Sequence, residues 1–456
     1  MTSPSSHTVG TAHVHATNNS LRDLAAFALE RAKILGATAA DVEISTSIGQ
    51  SVTVRLGEVE TIEHNRDKGL GITVYLGHQR GNASTTDLSR AAIERTVAAA
   101  LAIAKYTAPD EFSGLADPAR LAVAPYPDLS LYHPWALSVA GATELAKRME
   151  AAAFAVDKRI NNSEGASIST SESDFIYANS LGFMGGYPTT QHSASVSMIA
   201  GTDDGMQRDY WYAVGRAEHQ LESMEAIGKR AGERTVARLG SKKAPSGEVP
   251  VMFDATVASG LIGSLVGAVS GSSLYRKSSF LLDSLGTQIF APMVSIHEDP
   301  FLIGGLASGP FDAEGVTTVA RDIVKDGVLQ GYFLATYSAR KLGMASTGNA
   351  GGNHNLIVKS GDLDFAGLCK KMHRGFVVTE LMGQGVNNVT GDYSRGAVGF
   401  WVENGEIAYP VEETTIAGNM KDMFKGVVAV GSDRLALGSK QTGSILIDRM
   451  AVSGES

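Results

Sequence analysis

The sequence predicts an α+β protein of two domains: an N-terminal domain of helices and a β-meander, and a C-terminal domain of mostly antiparallel strands with short helices. Three observations predict this class. Long strand-like runs stand beside separate helical blocks, which is typical of α+β folds. Two dipeptides that favour tight hairpin turns, Asp326-Gly327 and Asn404-Gly405, separate strand-like segments in the second half. The 51 glycines among 456 residues exceed the usual fraction of about 7 %, which indicates a folded, turn-rich chain.

The N-terminal domain is predicted to cover residues 21–241. It follows a polar stretch, residues 1–20, that we expect to be a disordered tail. From Leu21 onward, apolar residues recur at helical spacing and predict a helix that ends at Gly36. Strand-like alternation then occupies residues 42–48, residues 52–56 ending on Leu56, and residues 70–76. A second helix is predicted at residues 88–106, and the proline-rich residues 109–134 are predicted to form an irregular connecting arm.

The second half of this domain repeats the order of elements. A helix is predicted around residues 145–156, short strands over residues 167–214 and a helix near residues 221–239. The pentapeptide Glu-Arg-Thr-Val-Ala occurs twice, at residues 94–98 and at residues 233–237. Chance and internal duplication both explain such a match, and the sequence leaves the two open.

A linker-like run at residues 242–247 opens the C-terminal domain, which is predicted to cover residues 242–456. Both hairpin dipeptides lie in this domain. Each favours a two-residue turn, since a type I′ turn needs two residues that tolerate positive φ. Short helices are predicted beside the strands at residues 256–269, 337–342, 365–372 and 419–424.

Composition excludes several classes of function. The formal net charge of −9 is unfavourable for nucleic-acid binding, which needs clustered Lys and Arg. The one cysteine, Cys369, excludes an internal disulfide and a multi-cysteine metal site. The first 20 residues lack a secretory apolar segment, and the most apolar stretch, residues 261–269, is too short to cross a bilayer. We therefore predict a cytoplasmic protein with no membrane contact and no direct nucleic-acid contact.

Motif searches find no complete active site. A zinc hydrolase commonly places two histidines one helical turn apart with a glutamate between them, and none of the 11 histidines fits. His297-Glu298 begins such a motif but lacks the second histidine. One Ser-x-x-Lys pattern joins Ser338 to Lys341, at a frequency expected by chance.

Three glycine-rich loops stand out instead, at residues 346–352, 380–388 and 391–396. Glycine at this density serves turns with positive φ, or lets another backbone approach closely, as in a groove where an extended peptide pairs with an exposed strand. On the second interpretation, the candidate substrate-binding residues are Gly351, Gly352, Gly383, Gln384 and Asn388. Asp392 and Arg395 in the third loop either pair with each other or serve such a site.

These loops resemble the TldD/PmbA family, and specifically its PmbA branch, also called TldE. The matching blocks are Thr-Glu-Leu-Met-Gly-Gln-Gly-Val-Asn at 379–387, Gly-Asp-Tyr-Ser-Arg-Gly-Ala at 391–397, and Gly-Phe-Trp-Val-Glu-Asn-Gly-Glu-Ile at 399–407. The run at 346–352 and Arg-x-Gly-Glu-Val-Glu at 55–60 also fit. The resemblance spans about residues 41–448, and its C-terminal block is long enough to be specific.

The resemblance implies a two-domain subunit of a cytoplasmic zinc-peptidase assembly. In that assembly a TldD-type subunit carries a His-Glu-x-x-x-His helix, completed by a cysteine near its C-terminus. The corresponding helix here has Gly260, Leu261 and Leu265 roughly at those positions, and residues 427–447 contain no cysteine. Glycine and leucine neither coordinate zinc nor activate water. The resemblance therefore implies a non-catalytic subunit that binds no cofactor itself, with zinc in its TldD-type partner.

The same resemblance implies that this partner forms a heterodimer or a larger assembly with the chain, and that the chain alone is a homodimer. It also implies that the substrates are small or unfolded peptides, as in peptide-antibiotic maturation. Two alternatives stay open. One is a stand-alone peptidase with another site, around Ser338 and Lys341 or around His297 and Glu298. The other is a peptide- or protein-binding module that acts as a homodimer.

Overall fold

A computed structural model describes the backbone of residues 7–454, and the side chains of that range except residues 7–18 and 204. Its helices are α1 (His7–Ile34), α2 (Arg90–Tyr106), α3 (Val139–Phe154), α4 (Met224–Ala237), α5 (Ala255–Ala268), α6 (Gly271–Tyr275), α7 (Thr336–Lys341), α8 (Phe365–Met372) and α9 (Met420–Lys425). Among the described helices, none combines the length and the hydropathy that crossing a bilayer requires.

The strands form three sheets. Those of the first sheet are β1 (Ala39–Arg55), β2 (Glu58–Leu76), β3 (Gln79–Thr85), β4 (Ile160–Asn179), β5 (Met184–Gly185), β6 (Thr189–Ala200) and β7 (Gln207–Gly215). The later strands are β8 (Gly247–Phe253), β9 (Ile296–Asp299), β10 (Arg321–Lys325), β11 (Val328–Leu329), β12 (Asn355–Val358), β13 (Gly375–Met382), β14 (Asp392–Glu403), β15 (Glu406–Asn419), β16 (Val427–Val430), β17 (Lys440–Gln441) and β18 (Ile445–Ser453). The predicted α+β class is confirmed.

The first sheet has the order β3-β2-β1-β4-β6-β7, with β5 paired to β4, and every pairing is antiparallel. Apolar residues on one face pack against α1 and α2 in one cluster, and against α3 and α4 in another. Alternation places these residues on one face, because residues i and i+2 of a strand share a face, and the two clusters follow one another along β1. Val42 and Ile44 of β1 join the first cluster, and Val52 and Val54 join the second.

The other face of this sheet carries hydroxyl groups. Thr53, Ser167, Ser195 and Tyr212 lie directly opposite one another on β1, β4, β6 and β7, so they form a row across four strands. The Thr53 and Ser167 hydroxyls are 2.8 Å apart. This face is therefore polar, and the row ends at Tyr212 on the edge strand.

The two halves of the N-terminal domain share one arrangement. Helix α1 packs on β1 and β4, and α3 packs on β4 and β1; α2 packs on β2 and β3, and α4 packs on β6 and β7. The repeated pentapeptide lies in α2 and in α4, which are equivalent helices. In each copy the threonine hydroxyl donates to the carbonyl four residues earlier, Thr96 to Ala92 at 2.8 Å and Thr235 to Ala231 at 2.7 Å. The element order and packing agree with the internal duplication.

Two sequence expectations for the N-terminal domain differ from the structure. Helix α1 begins at His7 rather than near Leu21, so residues 7–20 of the expected tail are helical, while residues 1–6 lie outside the described residues. The stretch from residue 7 to 20 contains no proline and a single glycine, so nothing in it breaks the helix. Leu56 belongs to the turn between β1 and β2, not to a strand. It has φ 53° and Gly57 has φ 80°, as a type I′ turn requires.

The C-terminal strands form a five-stranded sheet, β11-β10-β9-β12-β17, and a six-stranded sheet, β15-β14-β13-β8-β18-β16. Pairing of β15 with β18 closes part of the second sheet into a ring. Both predicted hairpin turns are confirmed, because Asp326 and Gly327, and also Asn404 and Gly405, all have positive φ. The predicted strand after Gly327 is short, since β11 ends at Leu329.

Polar side chains join the two parts of the chain. Arg238, which follows α4, pairs with Asp209 of β7 and with Glu380 of β13. From the C-terminal part, Arg340 donates to the carbonyl of Leu115 at 2.6 Å in the connecting arm. The two parts are therefore held by buried and half-buried charged groups as well as by apolar packing.

Asp41 lies where β1 faces the C-terminal part. Burial raises the pKa of its carboxyl to about 7, and nearby Glu314 acts in the same direction, although the Tyr75 hydroxyl, which donates to Oδ2 at 3.3 Å, opposes the shift. The unfolded chain releases this proton near pH 3.9. The contribution of Asp41 to stability is therefore fully present below about pH 4 and is lost as the pH rises towards 7.

We expect Asp41→Asn to raise the melting temperature at pH 8, by an increase in unfolding free energy on the order of 1–2 kcal/mol, and to change little at pH 4. The amide cannot ionise, so the variant lacks the loss of stability that the wild type undergoes between these pH values. Thermal unfolding at both pH values measures the effect. Asp67→Asn, at an exposed position of β2, is the control and should show no such pH dependence. An equal effect of Asp41→Asn at pH 4 and pH 8 would contradict the assignment.

Candidate functional site

Helix α5 has one apolar face and one face of small residues. Asp254 caps its start, because Oδ1 accepts from the Thr256 backbone N–H at 2.9 Å. Leu261 is 4 % exposed and Leu265 is fully buried, and both point into the core of the C-terminal part. The predicted helix at residues 256–269 is confirmed with a shift of one residue.

The small-residue face of α5 borders a cavity of about 350 Å³, which we call the α5 cavity. Its lining comes from β7, α5 and the segment that leads into β17: Tyr212, Ala255, Thr256, Ser259, Gly260, Gly263, Leu435, Leu437, Gly438, Ser439 and Lys440. The fold thus brings together the helix and the C-terminal segment to which the family resemblance assigns the metal ligands. They lie more than 170 residues apart in sequence.

The lining of the α5 cavity does not fit a zinc ion. It includes no His, Cys, Asp or Glu, the side chains that bind zinc in proteins. Of the three positions compared with the family motif, only Gly260 lines the cavity, because Leu261 and Leu265 face the core. Throughout the described residues, no group of three or more potential ligand side chains is placed to hold a metal ion.

Lys440 gives the α5 cavity a positive charge. Burial lowers the pKa of its ammonium group, and its chain lies over α5, with Cε 3.9 Å from where a Cβ on Gly263 would stand. Motif reasoning missed this residue and Tyr212, because neither belongs to a catalytic pattern. The signal available was the run Leu-Gly-Ser-Lys at 437–440, which places a lone lysine after small residues.

The loop at residues 346–352 is held by two buried carboxylates. Asp312 accepts from the backbone N–H of Ala350 at 2.9 Å, and burial raises its pKa to about 6. Glu298, 1 % exposed, accepts from the Asn349 amide at 2.7 Å and from Arg321 at 3.0 Å. These contacts fix the base of the loop and leave Gly351 exposed at its tip.

Glu298 also accepts from the backbone N–H of His354 at 2.9 Å. Burial raises the pKa of the Glu298 carboxyl, but the hydrogen bond from His354 and the charge of Arg321 outweigh this effect and hold the pKa below its usual range. Neighbouring His297 points to the other side of β9, where its ring lies 2.8 Å from exposed Asp322. His297 and Glu298 therefore do not form one site.

The loop between β13 and β14 carries the other candidates. Gly383 accepts from Arg395 at 2.6 Å, and the Asn388 carbonyl accepts from the backbone N–H of Phe280 at 2.8 Å, while Gln384 is exposed. The alternative that Asp392 and Arg395 pair with each other is wrong. Asp392 instead accepts from the Thr390 hydroxyl at 2.6 Å.

The five predicted substrate-binding residues therefore divide into two groups. Gly351 and Gly352 precede β12 of the five-stranded sheet, and Gly383, Gln384 and Asn388 belong to the tip of the β13–β14 hairpin. Hydrogen bonds of the described residues tie each loop to its own surroundings rather than to the other loop. Their role in substrate binding stays a prediction.

The remaining candidates have structural partners. Ser338 is 6 % exposed and its hydroxyl donates to the Ala335 carbonyl at 3.0 Å. Lys341 faces away, 3.7 Å from Asp110 and over the ring of Phe112. Cys369 is buried on α8, and burial raises the pKa of its thiol to about 11, which disfavours the reactive thiolate.

Comparisons with known proteins match almost the whole chain. Family models described as PmbA/TldA metallopeptidase domain 1, central domain and C-terminal domain match residues 40–104, 132–239 and 246–454. A relative from Escherichia coli O157:H7, named Metalloprotease PmbA, is 52 % identical over 416 residues, which cover 91 % of this chain and 92 % of the relative.

Two more distant matches agree. A relative from Haemophilus influenzae, named Metalloprotease TldD homolog, is 22 % identical over 86 % of this chain and 85 % of its own length. A crystal structure of a Bacteroides thetaiotaomicron protein superimposes with a TM-score of 0.90 at 31 % identity, and covers 95 % of this chain and 98 % of that one.

Proposed function

Because this chain belongs to the PmbA/TldD metallopeptidase family, we propose that it is the metal-free subunit of a heteromeric zinc peptidase. A TldD-type partner holds the zinc and cleaves the peptide. The observation that carries the proposal is the α5 cavity, where the family helix and the C-terminal segment meet without a ligand side chain. The assembly works in the cytoplasm and acts on small or unfolded peptides, as in maturation of a peptide antibiotic.

Charge and side-chain direction both support the absence of zinc from this subunit. The one charged group that lines the α5 cavity is the Lys440 ammonium, which repels a divalent cation. Substitution of histidine or glutamate at positions 261 and 265 would place a polar side chain in the core rather than in the cavity. Zinc, where it is bound in the assembly, supplies a Lewis acid and an activated water.

The part of this chain in the reaction is to enclose and position the substrate. The row of hydroxyls on the first sheet ends at Tyr212, which also lines the α5 cavity. A polar sheet face that leads to a cavity provides hydrogen-bonding groups for a peptide backbone and excludes bulk water once a partner covers it. The exposed glycines of the two loops, Gly351 and Gly383 among them, leave room for a backbone to approach.

The test compares peptide cleavage and bound zinc in three samples: this chain, the TldD-type protein of the same organism, and their mixture. We expect zinc and cleavage to follow the TldD-type protein, and cleavage to rise at least tenfold on mixing. A mixture in which the TldD-type protein carries alanine for a motif histidine is the control and should be inactive. Stoichiometric zinc together with cleavage in this chain alone would overturn the proposal.

A further inference from the structure

The α5 cavity contains an ammonium group without a counter-ion. Lys440 makes no ion pair or hydrogen bond through its side chain within the described part of the chain, and no carboxylate lines the cavity. Burial distinguishes Lys440 from a lysine such as Lys359, which also lacks an ion pair among the described residues but is exposed to solvent, whereas Lys440 is half-buried. A half-buried charge without a partner is costly, so its position favours an anion that arrives from outside.

The backbone around Lys440 is fixed. Strand β17 pairs in parallel with β12, so that Lys440 lies beside Leu356, and the Leu356 backbone N–H donates to the Ser439 carbonyl at 2.7 Å. The ammonium is therefore presented from a strand rather than from a mobile loop. Because the backbone is already ordered, ligand binding has to restrict only the side chain of Lys440, which lowers the entropic cost.

The walls of the α5 cavity suit a peptide end. Gly260 contributes a floor of bare backbone, because a Cβ there would have no neighbour within 4 Å. Leu435, Leu437 and the ring of Tyr212 provide apolar contact, and Ser259 and Ser439 bring hydroxyls. A volume of about 350 Å³ lies at the small end of the range for ligand sites, roughly 300–1,000 Å³. An inorganic anion would leave the apolar walls unused.

We propose that the α5 cavity binds the C-terminal carboxylate of a peptide, with the carboxylate against Lys440 and the last residues along the glycine floor. At the place where the resemblance puts a metal centre in a TldD-type subunit, this chain thus has a site that anchors the end of a peptide. The inference rests on the proposed function in one respect, that the ligand is a peptide. It needs neither zinc nor the partner, and binding by the purified chain tests it.

Fluorescence anisotropy with N-terminally labelled Ala-Gly-Ala-Gly-Ala tests the inference, with the free carboxyl compared with the C-terminal amide. We expect the free acid to bind the chain at least tenfold more tightly than the amide. A peptide of the same length with an internal aspartate and an amidated end, and inorganic phosphate as a competitor, distinguish other sources of negative charge. Equal binding of acid and amide overturns the proposal, and so does tighter binding of the internal aspartate peptide or of phosphate.

Variants assign the effect to the α5 cavity. Lys440→Met should abolish the preference for the free acid, and Lys440→Arg should keep most of it because the positive charge remains. Lys359→Met, at an exposed position just after β12, is the matched control and should behave as wild type. A free-acid preference that survives Lys440→Met overturns the proposal.

A measurement on the wild type removes dependence on the folding of any variant. Lysine acetylation by acetic anhydride, quantified by mass spectrometry, should be slowed at Lys440 by the free-acid peptide and not by the amide. Acetylation of Lys359 should not change with either peptide. Failure of this protection, with cleavage still rising when the TldD-type protein is added, would reject the carboxylate site and leave the proposed function standing.

Discussion

Glu298→Ala is expected to lower the unfolding free energy by about 3 kcal/mol, because it removes a buried carboxylate and leaves a half-buried guanidinium without its counter-charge. Arg321 would lose its carboxylate partner, and the Asn349 amide and the His354 backbone N–H would lose their acceptor. The loop at residues 346–352 loses one of its two anchors at the same time and keeps the other, Asp312. Chemical denaturation at pH 7.5 measures the change, and Glu298→Gln should fall between the wild type and the alanine variant.

Asp322→Ala is the matched control for this prediction. Asp322 pairs with His297 on the other side of the same strands, but both side chains are exposed, so the loss should stay below about 1 kcal/mol. Because the pKa of Glu298 is depressed, its stabilising effect is present above about pH 4.3 and is lost as the pH falls through the lower folded value. The difference between wild type and Glu298→Ala should therefore shrink in acid. Equal losses for the two alanine variants would contradict the role assigned to Glu298.

Gly385→Ala is expected to cost about 3 kcal/mol and to displace the β13–β14 loop. A Cβ at this position would stand 1.6 Å from the Ser394 carbonyl oxygen, which is backbone and cannot rotate away. The bond from the Ser394 N–H to the Gly385 carbonyl, 2.8 Å long, would open. Hydrogen exchange reports this directly, because the Ser394 amide should lose its protection.

Gly383→Asn, two residues away, provides the control. Gly383 has φ 77° and open space around its Cβ position, and asparagine tolerates this backbone conformation better than other side chains. We expect a loss below about 1 kcal/mol and unchanged protection at Ser394. If Gly385→Ala retained both stability and protection, the close backbone approach would be wrong.

Local patterns in the sequence predicted most of the fold. The Asp326-Gly327 and Asn404-Gly405 turns follow from backbone sterics that two residues determine, and α5 follows from a short apolar run with an aspartate before it. The prediction that Leu56 lies in a strand is wrong, although its apolar side chain continues the strand alternation. In the structure it lies in a turn, with positive φ and an exposed side chain.

The candidate site was predicted only in part. That the side chains at positions 260, 261 and 265 are not zinc ligands follows from single residues, since ligand chemistry is a property of the side chain itself. Single residues could not show which face of α5 borders a cavity, because the burial of Leu261 and Leu265 depends on strands far away in sequence. The position of Lys440 beside α5 could not be predicted for the same reason, because the segment that carries it is placed by the pairing of β17 with β12.

The order of the first sheet bears on the origin of the chain. Strands β1 and β4 run antiparallel at its centre, and equivalent strands lie outward from them on both sides. Two identical half-length ancestors that pair through their first strands about a twofold axis would form the same sheet, as an isologous dimer. On the duplication hypothesis, the central pair of strands would correspond to the interface of that dimer, joined into one chain by gene fusion. The two edge strands of the sheet differ in this respect: β7 carries Tyr212, which lines the α5 cavity, and β3 has no tyrosine.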